Sequence, residues 1–512
     1  MTDAHVVPVV AAKGLRQVSA WLHGWSGLLL GWLIFAMCLS GTLAIFKPEI
    51  SRWLRPEISG PANPASAIVA ATDYLRRAAP GGAEWFLTPP DGRANVTEAT
   101  WADASAPGGY RTQALDPLTG RPDVARDTLG GEFFYRLHFE LQLPYPWGRL
   151  LASLAAAFLL VAIVSGVFAH RRFFADFFTF RPAKGHRSWL DAHNLVGVVA
   201  LPFHLMITYS GLLTLASLTM PWGVMSAYGT DGARMIKEFA PGFVERQASH
   251  RAAPLAPIGP MLMAAERRFG AGGRLGQVTV DHPGDAAATV TVIRFDGDQL
   301  AKTPEVVVFD GVTGRMISDV VERRPALRTY NVIYGLHMGR FSVGALRWFY
   351  FLCGLMLTAT VASGLILWTV KRRDRPGGGR ANEWLARFNI GVIAGTPTAF
   401  MAYFWANRLV AATAPGRSAI EVASVFWTLA AVILLALALP SRRGWAPLLA
   451  LAAIACAGGP VLTMFDARPP AAGDWAIAGG NLVMAVAAVL FAAAAWRSTR
   501  HPVRRQRSSA RG

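Results

Sequence analysis

Eight stretches of the chain stay apolar long enough to cross a bilayer, which takes about 20 residues. They run 25–46, 150–170, 195–218, 346–368, 388–408, 422–439, 445–465 and 476–496. Two long polar stretches interrupt them. Each opens with a helical periodicity (66–78 and 260–269) and continues with alternating apolar and polar residues that read as strands. Ser66 is the expected N-cap of the first of these helices, and Pro260 suits the opening turn of the second. The pattern predicts an all-α polytopic membrane protein of about eight transmembrane helices, carrying two small α+β domains. Its parts are a first helix at 21–46, a domain at 47–149 and helices two and three within 150–218. A second domain at 219–345, a fourth helix at 346–370, a four-helix extension at 386–496 and a basic tail at 497–512 complete it.

Charge gives the orientation. The 512-residue chain carries 50 Lys and Arg against 32 Asp and Glu, a formal net charge of +18. The cations gather just after apolar runs, at Arg171 and Arg172, at Lys371, Arg372 and Arg373, at Arg442 and Arg443, and from Arg497 to Arg511. By the positive-inside rule both termini face the cytoplasm and the two polar stretches face outward, which for a bacterial inner membrane is the periplasm. A basic, aromatic-interleaved soluble module is missing, so nucleic acid is excluded as a partner; membrane lipid is the expected surroundings. The first apolar run is too long for a signal peptide and reads as a retained helix. Cys38, Cys353 and Cys456 lie inside apolar runs and form no CxxC, which gives no support to covalent haem, iron–sulfur or structural zinc.

The apolar segments repeat. His23, Gly27, Ser40 and Gly41 recur at identical spacing as His193, Gly197, Ser210 and Gly211. Tyr135-Arg-Leu-His138 with Ser165-Gly166 recurs as Tyr334-Gly-Leu-His337 with Ser363-Gly364. The polar stretches share Asp116-Pro-Leu-Thr119-Gly120-Arg121 and Asp310-Gly-Val-Thr313-Gly314-Arg315, expected to be a turn between two strands. Matches in the same order indicate an internal duplication in parallel orientation. The Ser-Gly pairs read as points of close helix approach.

Six of eleven histidines cluster with these helices. His23, His170 and His193 fall at the cytoplasmic edge, and His138 and His337 near the exterior edge. His204 lies deeper, three turns beyond His193. A lone interfacial histidine is ordinarily a hydrogen-bonded anchor. Imidazoles at two membrane levels, four of them duplicated, instead suit the axial ligation of two haem b groups stacked across the bilayer. Under the duplication His138 with His337 would form the outer site. The inner site would draw on His23, His170 and His193, with His204 open to either level. Zinc or copper fits less well, because no Cys, Asp or Glu shares these layers. His5, His186, His250, His282 and His501 read as solvated.

The run His170-Arg-Arg-Phe-Phe-Ala-Asp-Phe-Phe-Thr-Phe-Arg-Pro, then Trp189-Leu-Asp-Ala-His193-Asn-Leu-Val-Gly and Leu201-Pro-Phe-His204-Leu-Met-Ile, resembles the PepSY-associated transmembrane family over about 21–373. The polar stretches resemble its PepSY modules. The resemblance implies a haem-bearing helical core that passes electrons to a ferric siderophore in the periplasm and releases Fe(II). It implies His23, His138, His170, His193, His204 and His337 as ligand positions, with the pairing left open. No flavin or nicotinamide site is present, so a quinol or a cytoplasmic reductase would be the electron donor. A transporter of siderophore or iron, and a non-enzymatic sensor or regulator, are the alternatives. The helices after Arg380 depart from the family pattern; packing or oligomerisation is their expected role.

Overall fold

The computed structural model describes residues 14–58, 62–170, 186–239, 242, 244, 246–301, 305–372, 379–465 and 474–500. The arginine motif that follows His170, Arg373 and the basic tail beyond Arg500 lie outside the described residues, as do His5 and His501.

The first apolar run is two helices, α1 (Leu15–Leu29) and α2 (Gly31–Ala44), bent by 70° to one another. A short helix α3 (Lys47–Leu54) and helix α4 (Pro64–Ala78) lead to strands β1 (Glu84–Thr88), β2 (Thr97–Ala102) and β3 (Tyr110–Leu115). Helix α5 (Glu132–Glu140) precedes α6 (Trp147–Ala169). The second motif copy follows the same course. Helices α7 (His186–Val199) and α8 (Leu201–Thr214) are bent by 68°. The short α9 (Ala216–Thr219), α10 (Trp222–Tyr228) and α11 (Gly232–Phe239) are followed by α12 (Ile258–Phe269). Strands β4 (Leu275–Asp281), β5 (Thr289–Arg294), β6 (Glu305–Asp310) and β7 (Met316–Val321) lead to α13 (Pro325–Met338) and α14 (Gly344–Val370). The chain ends in α15 (Gly379–Leu409), α16 (Arg417–Ala438), α17 (Ser441–Thr463) and α18 (Trp475–Thr499).

Among the described residues α6, α14, α16, α17 and α18 are long and apolar enough to cross a membrane, and each bent pair qualifies if taken as one span. The protein is therefore a multi-pass membrane protein. The bends correct the expectation of straight spans at 25–46 and 195–218. Each falls seven residues after a motif histidine, at Leu30 and at Ala200. In the second copy Pro202 removes a backbone N–H in the first turn of α8. In the first, Gly31 lets the backbone close on Leu365, where a Cβ would lie 2.7 Å from the Leu365 side chain.

The two polar stretches share one sheet. All seven strands are antiparallel neighbours in the order β3-β2-β1-β4-β5-β6-β7, and β1 pairs with β4 through Trp85 opposite Val280. Alternation drives it. Trp85, Leu87, Val278, Val280, Val290 and Val292 point to one face and meet Ile68 and Leu75 of α4 and Met261 and Leu262 of α12 in a single core. The cap of α4 is Asn63 rather than Ser66: the Ser66 amide donates to Asn63 Oδ1 at 3.0 Å. Proline at the first helical position lacks an N–H, so the cap sits one residue before it. Asp310 to Arg315 is the expected turn between β6 and β7, with Gly314 at φ 73°. The first copy, Asp116 to Arg121, makes the same turn with Gly120 at φ 67°, but the chain beyond it is not a strand.

Candidate functional site: two facing histidine pairs

The motif histidines meet in two pairs. The ring centroids of His23 and His193 are 6.0 Å apart, and those of His138 and His337 are 6.1 Å apart with planes inclined by 22°. The second pair lies at the mouth facing the sheet; the first lies on α1 and α7, the halves of the bent spans remote from it.

Each ring rests on the glycine of a Ser-Gly pair in another helix. A Cβ at Gly41 would come within 2.6 Å of His138 Nδ1, and one at Gly211 within 2.8 Å of His337 Cε1. At Gly166 and Gly364 it would lie 3.0 Å and 3.3 Å from Cε1 of His23 and His193. Glycine is required because an imidazole edge occupies the place of its side chain. The spacing explains the partner atom as well. Nδ1 of His138 donates to Met37 O at 2.8 Å, Nδ1 of His23 to Ala162 O at 2.7 Å, and Nδ1 of His337 to Ile207 O at 2.9 Å. Each of these carbonyls belongs to the residue four before the seat glycine. Nδ1 of His193 donates to Ser363 Oγ at 3.0 Å, and that hydroxyl passes its own proton to Thr360 O.

Because a carbonyl can only accept, Nδ1 carries the proton in three of the rings, and Nε2 retains its lone pair. Among the described residues no protein group hydrogen-bonds to Nε2 of His23, His138, His193 or His337. Burial, and for His337 the neighbouring His138, hold the two sheet-side imidazoles below the usual histidine value, His337 at about 4. They are neutral at pH 7. Two imidazoles with centroids roughly 6 Å apart are near enough for their nitrogens to hold one metal atom between them, at about 2.0–2.1 Å each. Both pairs have that separation. Among the described residues no three His, Cys, Asp or Glu side chains gather as a metal-binding group.

The other two histidines stand apart. His170 Nε2 lies 2.9 Å from Asn194 Nδ2, one residue from His193, and its Nδ1 is buried without a partner. His204 is 2 % exposed, and its Nε2 has no partner either. Among the described residues neither faces a second histidine. His282, expected to be solvated, approaches Arg246 O through Nε2 at 2.9 Å.

A cavity of about 1140 Å³ opens between the sheet and the helices, and both His138 and His337 line it. Its wall is rich in cations. Arg93 and Arg347 share the buried Glu49, at 2.7 Å and 3.2 Å, and Arg340 pairs with Asp296 at 2.5 Å. Tyr135 and Tyr334, one turn before each histidine, line it too. His23 and His193 do not. Along α6, Ala155 of the cavity wall and Gly166 beneath His23 are separated by 11 residues, roughly 16 Å of helix rise.

The model of the PepSY-associated TM region matches residues 20–371, which includes every histidine of both pairs. The chain belongs to that family. An uncharacterized protein of Pseudomonas aeruginosa is similar to it, 28% identical over 347 residues that cover 64% of this chain and 84% of that one. Helices α15 to α18 lie outside the PepSY-associated match. What sequence reasoning missed in this PepSY-associated region is the purpose of the Ser-Gly pairs. Their spacing predicts close helix approach, and in the fold the glycines seat imidazole rings. The signal was present: four motif histidines and four Ser-Gly pairs.

Proposed function

We propose that the protein is a haem-bearing reductase of the bacterial inner membrane. It moves electrons from the cytoplasmic side to a ferric siderophore in the periplasm and releases Fe(II). The observation that carries this reading is the pair of facing imidazole sets, one at each level, with every seat made by glycine.

His23 with His193, and His138 with His337, would each hold one haem b, which supplies a one-electron Fe(III)/Fe(II) couple when bound. The chain's own contribution is positional. Backbone carbonyls fix the Nδ1–H tautomer of His23, His138 and His337 and leave Nε2 to ligate, and such a bond also raises ligand basicity. The seat glycines set how near each ring comes to its partner helix. The cavity above the outer pair admits a chelate, and Arg93, Arg340 and Arg347 present positive charge to its oxygen donors. One electron reduces each Fe(III) chelate. Hard oxygen ligands hold the resulting Fe(II) poorly, so the metal leaves. The electron comes from a quinol or from a cytoplasmic reductase.

The orientation in this reading takes α15 as an eighth crossing, beside the five long apolar helices and the two bent pairs. Helix α15 begins beside the end of α14, where Asn382 Nδ2 donates to Thr369 O, and ends on the sheet side, where Arg408 Nη2 donates to Trp53 O at 2.6 Å. It therefore traverses the full depth despite its polar residues. With α15 counted, Lys371, Arg442, Arg497 and Arg500 fall on the face opposite the sheet, which the positive-inside rule assigns to the cytoplasm.

The test is haem quantification on purified single variants. His23→Ala and His337→Ala should each lose one of two haems and keep the other, and each should abolish reduction of an external ferric chelate by proteoliposomes energised with internal reductant. Unchanged haem content in both variants would remove these residues from the ligand set and overturn the reading.

A further inference from the structure

The C-terminal helices grip the outer site on one side only. The segment just before α5 is bolted to them. Arg417 and Glu421, both fully buried, form an ion pair there. Arg417 Nη1 donates to Asp127 O at 2.9 Å, and Thr128 Oγ1 donates to Glu421. Asn407 Nδ2 donates to the same carboxylate at 2.9 Å, and Arg126 Nη1 donates to Asn407 O at 2.8 Å. Tyr403 completes the set: its hydroxyl donates to Gly130 O at 3.1 Å.

The grip continues onto α5. Phe133 stacks on Tyr403 with centroids 4.6 Å apart, and Phe134 lies 5.1 Å from Phe400 and 5.9 Å from Phe404. Phe133 and Phe134 are fully buried, and Phe134 is one turn from His138. The matching helix α13 has no such cover. Val332 and Ile333, which stand where Phe133 and Phe134 stand relative to the histidine, are only half-buried.

A charge pair fully buried beside a membrane core is expensive, and removing one partner leaves the other uncompensated. Its location, at the loop that leads into a ligand helix, gives it a use. We infer that α15 and α16 are a positioning device that fixes the helix carrying His138 through Tyr403, Arg417 and Glu421, while α13, which carries His337, has no such clamp. The outer pair then has one clamped and one unclamped helix, and the clamped one would set the ring orientation on which the outer redox potential depends. The inference rests on the haem reading for its redox consequence, but not for the rigidity of α5.

Two readouts separate those parts. In apo protein, hydrogen exchange should be slower in α5 than in α13. Tyr403→Leu should speed α5 exchange at least tenfold and leave α13 and α7 unchanged, and Tyr403→Phe, which keeps the stack, should restore most of the protection. In haem-loaded protein, Tyr403→Leu and Glu421→Gln should move the potential and the low-spin electron paramagnetic resonance signal of the outer haem only, the inner haem serving as the internal control. Equal shifts at both haems, or α5 and α13 loosening together, would mean general destabilisation and overturn the inference. Selective loosening of α5 in protein that binds no haem would keep the anchor and sink the redox role.

Discussion

The imidazole of His138 fills the space where Gly41 would carry a side chain, at 2.6 Å from the position a Cβ would take. The ring and the glycine lie on different helices, α5 and α2, so the contact ties the start of the sheet-side mouth to the first bent span.

Alanine at Gly41 should therefore do the reverse of what helix propensity dictates. Propensity alone would make the helix more stable by about 1 kcal/mol. The ring must instead leave its seat and give up the bond to Met37 O, so Gly41→Ala should lose the outer haem while retaining the inner one. Gly364→Ala, with 3.3 Å of room, should be the mildest of the four seat substitutions. Haem per chain across the series is the measurement, and loss that does not follow the clearance order would count against the seats.

The C-terminal helices are also tied to the core through Trp32, whose Nε1 donates to Asn389 Oδ1 at 2.7 Å while Asn389 Nδ2 donates to Leu365 O at 2.8 Å. Asn389→Leu strands the Trp32 N–H and should cost about 1–2 kcal/mol. A lowered Tm with unchanged haem content is expected, since neither Trp32 nor Asn389 hydrogen-bonds to a seated ring. Haem loss would show that α15 supports both pairs.

Asp310 tests the sheet. Its ion pair with Arg246 at 2.8 Å, with bonds from the turn at Thr313, holds its carboxyl well below the usual carboxylate range. A depressed folded-state value stabilises the fold at pH above the unfolded value, about 4, and that contribution fades as pH falls below it. The Tm gap between wild type and Asp310→Asn should be constant from neutral pH down to about 5 and should narrow below about 4. A gap independent of pH would assign the effect to turn geometry instead.

Topology can be read by labelling. In a background lacking Cys38, Cys353 and Cys456, Ala412→Cys should react with an impermeant maleimide added outside, and Arg442→Cys only after the membrane is opened. Both positions are exposed. Reaction of both from one side would remove α16 as a crossing.

Much of this was legible in the sequence because membrane helices and repeats leave strong marks. The apolar runs located the helices, and the two copies of the Tyr-x-x-His motif point to His138 with His337, while spacing alone leaves the inner set open among His23, His170 and His193. Depth and partnership were harder. His170 and His204 share the apolar setting of the other four, and only packing separates them: among the described residues neither faces a second histidine. The bends at Leu30 and Ala200 were hidden because hydropathy does not change at a kink. The joining of two strand clusters through β1 and β4 was equally hidden, since edge pairing depends on where the helices deliver the strands. The clamp at Arg417 and Glu421 looked like an ordinary helix pair four residues apart, and its partners at 126–130 lie almost 300 positions away.

The most direct measurement is a reduced-minus-oxidised visible spectrum of detergent-purified protein expressed with ample haem supply, with haem counted per chain. Two low-spin b-type haems per chain are expected, one of them absent in His138→Ala. Protein that folds, inserts and carries no haem would contradict the two-pair electron path and leave transport or regulation as the function to pursue.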